Sequence, residues 1–205
     1  VILANELLDN LPFRLFVFDG SWMEAFVAQA TGGQFVEVLR KPEVVPSCLP
    51  QTAALGSRAP IQDAAASWVR DCLSKINRGQ LLLFDYCSAS TADISLTSWR
   101  EWLRTYRDQS RGTHYLSDPG SQDITTQVML DQLPAGFTAS TQSDFLKQWG
   151  IDDLVREGNA YWENMKHAPD VAAMKMRSRS NEAEILKGFR TFVVLEYEVE
   201  ACRPR

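Results

Sequence analysis

Apolar residues fall along the chain in runs and stripes whose spacing predicts the elements. Val1-Ile2-Leu3-Ala4 is a continuous apolar run, cut off by Asn5-Glu6-Leu7-Leu8-Asp9-Asn10. Such a run, ending in acids and amides, reads as a buried strand that delivers polar groups at its carboxyl end. Phe13 to Phe18 and Ser21 to Val27 flank Asp19-Gly20, the strongest short-range hairpin signal. Gln34 to Leu39 follows Gly32-Gly33 as a third strand. Residues 40–60 hold Pro42, Pro46, Pro50, Pro60 and Gly56 and are predicted as a Pro-rich loop. Ile61, Ala65, Trp68, Val69, Cys72, Leu73 and Ile76 then recur at helical spacing, with Pro60 in the first turn and Gly79 closing the helix. Gln80 to Tyr86 is a second continuous apolar run, as expected of a parallel strand covered on both faces. The helix before it makes a crossover from the first strand, so the two are expected as parallel neighbours or one strand apart. Ser98 to Arg107 reads as a surface helix with arginines packed on aromatic rings. Ser143 to Trp149, Asp152 to His167 and Asp170 to Lys187 read as helices, and Phe189 to Tyr197 as a last strand.

Composition narrows the class. The 205 residues are 45% apolar and 23% charged, which suits one globular domain or part of a larger one. The net charge is −5 and no basic stripe stands out, so a nucleic-acid partner is not expected. No apolar run reaches the length of a membrane span. Cys48, Cys72, Cys87 and Cys202 lie too far apart in sequence for a ribbon or redox pair, so free thiols in a reducing cytoplasm are expected. His114 and His167 stand in no metal-ligand spacing, and no metal site is expected. Hydrolase elbows, nucleotide-binding phosphate loops and dinucleotide glycine motifs are absent from the sequence.

Two stretches carry candidate chemistry. In an open α/β sheet, ligands bind just beyond the carboxyl ends of the strands. Asn5, Glu6 and Asp9 follow one such end, and Asp85 and Tyr86 follow the other. Asn5 could instead cap a short helix with Glu6 and Asp9 near its start, although a cap does not need both acids, and Asp85 could equally cap a turn. Asp118-Pro119-Gly120-Ser121-Gln122-Asp123-Ile124-Thr125 is a tight turn that ends in two polar groups, which would also serve a turn and a cap.

These segments resemble the MidA family of S-adenosylmethionine-dependent methyltransferases, which includes an assembly factor that methylates a protein arginine. The resemblance is carried by Asn5, Glu6, Leu7, Leu8, Asp9, Leu11 and Pro12; by the Asp85-Tyr86 pair; by Arg104 and Tyr106; by Pro119-Gly120 with Gln122-Asp123-Ile124-Thr125; and by Thr141, Gln142, Phe145, Leu146, Gly150 and Ile151. It spans nearly the whole chain. It implies an α/β fold: a partial class I, Rossmann-like methyltransferase sheet with a β-hairpin and helical additions. Residues 1–205 would form the C-terminal part of the methyltransferase domain. The glycine-rich loop of the N-terminal cofactor-binding half is not in this sequence, so this chain alone is expected to hold cofactor poorly.

The resemblance further implies a protein acceptor with arginine methylated. Glu6 and Asp9 would be catalytic, and Gln122, Asp123, Asp85 and Tyr86 would bind substrate. Asn5 would lie on the S-adenosylmethionine side. Glu6, Asp9, Asp85 and Asp123 are then expected along one cleft. The alternative is a non-catalytic scaffold or assembly factor that keeps the fold and binds a protein partner. Oligomeric state stays open.

Overall fold

The structure, a computed structural model, describes residues 1–200 apart from 109 and 190. Its main sheet has five strands. Strand β1 (Ile2–Asn5) pairs in parallel with β6 (Gly79–Ser88), Ala4 standing opposite Leu83. On its other side β6 pairs antiparallel with β12 (Phe192–Val199), which pairs antiparallel with β11 (Phe137–Thr141). Leu81 and Leu83 alternate with Leu82 and Phe84 on β6, so the strand presents apolar groups to both faces. On one face, Leu81 and Leu83 pack with Ala4, Leu8 and Leu195 against Ala65 and Val69 of helix α1 (Asp63–Lys75). On the other, Phe84 meets Phe145 of α4 (Gln142–Gln148) edge-on at 5.4 Å. The expected mixed α/β sheet is therefore present, and β1 and β6 are direct neighbours.

The hairpin forms a second sheet beside the first. Strands β2 (Arg14–Phe18), β3 (Trp22–Gln29), β4 (Phe35–Arg40) and β5 (Arg58–Ile61) stand in the order β4-β3-β2-β5. Strand β5 corrects the sequence reading twice. The Pro-rich loop ends at Ser57, and Pro60 lies opposite Leu15 in a strand instead of opening a helix. Helix α1 starts three residues later, after Gln62, whose amide Nε2 donates to Gln127 O while Met129 N donates to its Oε1.

The Ser98–Arg107 segment is also not one helix. After the short α2 (Thr91–Ile94), α3 covers only Trp99–Trp102, and β7 (Leu103–Arg107) follows. Trp102 is fully buried. Strand β7 pairs with β8 (Ser110–Arg111) and β9 (Asp123–Thr126) in a third, three-stranded sheet. Strand β10 (Val128–Met129) then returns to the main sheet and pairs with Cys87 and Ser88.

Helices α5 (Ile151–Met165) and α6 (Val171–Gly188) pack as a hairpin. They meet at Gly158, where an added Cβ would come within 1.8 Å of Ser180 Oγ. Gly188 is the last residue of α6, so the final strand begins at Phe192, with residue 190 outside the described set. Cys48, Cys72 and Cys87 are free thiols, and Cys202 lies outside the described residues. Among the described residues no helix is long and apolar enough to cross a membrane.

Candidate functional site

Strand β1 ends because Asn5 is its last paired residue, opposite Phe84. Glu6 N still donates to Phe84 O at 2.9 Å, but the Glu6 backbone turns into the left-handed region, at φ 48°. A non-glycine residue there carries strain on the order of 1–3 kcal/mol. The turn throws the chain off the sheet into a single 3-10 turn, Leu8–Asn10, anchored by the buried Leu8. Strand β6 runs on past this point, and β10 takes up its edge only at Cys87. The edge of β6 at Asp85 and Tyr86 is thus where one neighbour leaves and the next has not begun.

Asp85 fills that gap from below. Its Oδ2 accepts Leu8 N at 3.0 Å and Asp9 N at 3.3 Å, and its Oδ1 accepts Tyr86 N at 2.9 Å. Asn10 completes the turn, donating from Nδ2 to Asp9 Oδ1 at 2.7 Å and to Glu6 O at 3.2 Å. Asp9 and Asp85 are both buried, at 4% and 2% exposure, whereas Glu6 is exposed. Burial, with the Glu6 charge added, raises Asp9 to about 6, against the Asn10 bond and the Arg104 charge. Burial, with the Asp9 charge added, raises Asp85 to about 7 against its three backbone donors. Two such carboxyls titrate as a pair close to neutral pH.

Strand alternation puts Tyr86 on the opposite face of β6 from Asp85. Its ring packs on Phe192 at 4.2 Å and lies under the Arg104 guanidinium at 5.4 Å. Arg104 was not among the residues singled out from sequence as site residues. On β7, Leu103 and Thr105 turn into the core, which leaves Arg104 and Tyr106 on the other side, toward Tyr86. That alternation was the available signal, but the segment reads as a helix.

The second motif is built differently. Gln122 spends its whole amide on its own loop, accepting Thr113 N at 3.3 Å and donating to His114 O and Ser117 O, each at 2.9 Å. Arg107 ties Ser121 and Asp118 to the same loop. Gly112 is required here: a Cβ would lie 2.5 Å from Gln122 Oε1 and 2.7 Å from Thr105 Oγ1. Gln122 therefore braces its own loop. Asp123 opens β9 opposite Tyr106 and is exposed. Strand β9 does lie against the Leu8–Asn10 turn. Glu6, Asp9 and Asp85 are thus brought together, Glu6 exposed and the two aspartates buried, with Asp85 holding the backbone of the turn.

Acids gathered where two parallel strands end stand at the carboxyl edge of an α/β sheet, the edge at which such folds bind ligands. Residues 1–146 match the family model described as "Putative S-adenosyl-L-methionine-dependent methyltransferase", and the chain belongs to that family, whose cofactor is S-adenosylmethionine. Two solved structures share the fold. One is a COG1565 superfamily member from Burkholderia thailandensis bound to S-adenosyl-homocysteine. The other is a native structure of a COG1565 superfamily protein from the same organism. Each is 20% identical, with a TM-score of 0.73 over 96% of this chain. The chain spans about half their length, 52% and 54%. No curated protein matches.

The residues at the end of β1 fit such a cofactor chemically. The Asn5 amide makes only a 3.4 Å bond to Glu6, and Glu6 has no cation partner among the described residues. The Asn5 amide, with donor and acceptor capacity to spare, suits the polar groups of such a ligand, and the Glu6 carboxylate suits a cation brought next to it.

Proposed function

We propose that this chain forms the acceptor side of an S-adenosylmethionine-dependent methyltransferase of the MidA type, acting on a protein arginine. One observation carries the reading: Glu6 and Asp9 stand together at the end of β1 with no cation partner among the described residues. A guanidinium is held best by carboxylates in forked geometry. Glu6, on its strained turn, orients the acceptor. Asp9, raised to about 6, is suited to take the proton that the guanidinium sheds as its nitrogen attacks. Asp85 fixes the backbone of Asp9 and keeps its carboxyl in place. Tyr86 and Arg104 close the other side, and Asn5 faces the cofactor. Bound S-adenosylmethionine supplies the activated methyl group.

The finer fold reading, a class I Rossmann-like sheet, is supported by parallel β1 and β6 with α1 in the crossover between them. A cytoplasmic setting is supported by the three free thiols.

The test is Glu6→Gln in the full-length protein, with labelled S-adenosylmethionine and an arginine acceptor. The swap keeps shape and removes charge. The expected outcome is a roughly ten- to hundredfold slower rate with cofactor affinity little changed, from a lost charged hydrogen bond of about 1.5–3 kcal/mol. An unchanged rate removes Glu6 from the mechanism, and no transfer by the wild type favours the scaffold reading. Lost cofactor affinity moves Glu6 to the cofactor side.

A further inference from the structure

We propose that the apolar groove beside the Leu8–Asn10 turn recognises the acceptor polypeptide by an apolar side chain flanking its cationic residue. This rests on the acceptor reading above and names what that site selects. The groove has a volume of about 430 Å³ and runs between β3 and β9. Its near wall is Asn10, the residue whose amide holds Asp9 Oδ1 and Glu6 O. The groove therefore borders the turn that carries the two acids. Its floor includes Phe13, Leu15 and Leu103. Its lip carries Phe26, Val27 and Ile124, which are 40%, 60% and 39% exposed.

The charges divide the same surface in two. Inside the groove, each acid is already answered. Glu24 pairs with Arg14 at 3.5 Å, and Glu37 takes a forked bond from Arg58 at 2.7 and 2.8 Å together with the Tyr115 hydroxyl. At the turn and the start of β9, Glu6, Asp9 and Asp123 have no such partner among the described residues. A cation is attracted to the acidic end and gains nothing in the groove. An apolar side chain gains by leaving water only in the groove. The complementary occupant is an extended segment of a protein acceptor, with a cationic residue at the turn and a large apolar residue close to it in sequence. Exposed apolar surface beside a polar site is the usual mark of such a contact.

The experiment uses full-length protein and two fluorescein-labelled heptapeptides. Both have a central arginine, flanked in one by phenylalanine and leucine and in the other by serines. Fluorescence anisotropy reads binding without any methyl transfer. The apolar peptide is expected to bind at least about tenfold tighter, the gain from burying one large side chain. Val27→Glu and Ile124→Glu each place a charge on the lip at an exposed position, and thermal melting verifies that they fold. Each is expected to bring the apolar peptide down to the affinity of the serine peptide. Equal affinity of the two peptides for the wild-type protein overturns the proposal, as does a preference that survives both substitutions. Loss of methyl transfer with the peptide preference intact sinks the catalytic reading and leaves the groove standing. Transfer without preference does the reverse.

Discussion

The Glu6–Asn10 turn and the Gly112–Gln122 loop are both short polar segments, and both carry the same family likeness. They use their polar atoms in opposite ways. In the loop, Gln122 satisfies one backbone N–H and two carbonyls of its own hairpin, so both of its N–H donors are committed locally. In the turn, the local backbone donors are satisfied from elsewhere, by Asp85 some 76 residues away in sequence, which leaves Glu6 with only a 3.4 Å bond from Asn5 among the described residues. A polar motif is thus available for chemistry when a remote residue takes over its structural work. A motif that folds itself has spent its groups.

The contrast can be attacked at four points. The largest effect is expected from pH. Asp9 and Asp85 stand at about 6 and about 7 in the fold, above their ordinary value of 3.8. Between these limits the fold keeps protons that the unfolded chain has released. The pair's contribution to stability is therefore greatest at the acid end, falls by several kcal/mol as pH rises from about 4 to about 8, and is flat above. Asp85→Asn should flatten that fall in urea midpoints measured across the range. The difference between the two proteins isolates the pair from Glu37, where burial is outweighed by the Arg58 and Tyr115 bonds and the sense is opposite. A stability that rises through this window in the wild type, relative to the variant, contradicts the buried pair.

Next in size is Glu6→Gln, whose expected loss of about 1.5–3 kcal/mol in transition-state binding should appear in rate and hardly at all in melting. Gln122→Ala should behave the other way. It leaves loop groups to find water and lowers stability by about 1 kcal/mol, with little effect on peptide affinity. A large activity loss at unchanged stability would restore Gln122 as a substrate contact. Smallest is Asp123→Asn, expected within about 0.5 kcal/mol in denaturant unfolding because the side chain is exposed and has no ion-pair partner among the described residues.

The strands of the main sheet were legible because Ile2–Ala4 and Leu81–Phe84 are continuous apolar runs, the pattern of strands covered on both faces. Strand β5 was not, because Pro60 argues against a strand. Proline is tolerated there because β5 is the edge of its sheet, where a missing N–H breaks no ladder. Strand β7 was hidden by the Trp and Arg residues around it, although Leu103 and Thr105 alternate with Arg104 and Tyr106 as a strand requires. Within the site, Glu6 and Asp9 could be picked out from the end of an apolar run. The part played by Asp85 could not, since it depends on which distant turn comes to rest above it.

The left-handed backbone at Glu6 sets the interests of folding and of chemistry against each other at one position. Glycine adopts that conformation without strain and would relax the turn. A screen for thermally hardened variants of this protein would be drawn to glycine at position 6, and each success would discard the carboxylate. On the acceptor role proposed for Glu6, selection for robustness and selection for turnover pull this residue in different directions, and sorting by melting temperature alone would enrich for variants without its carboxylate.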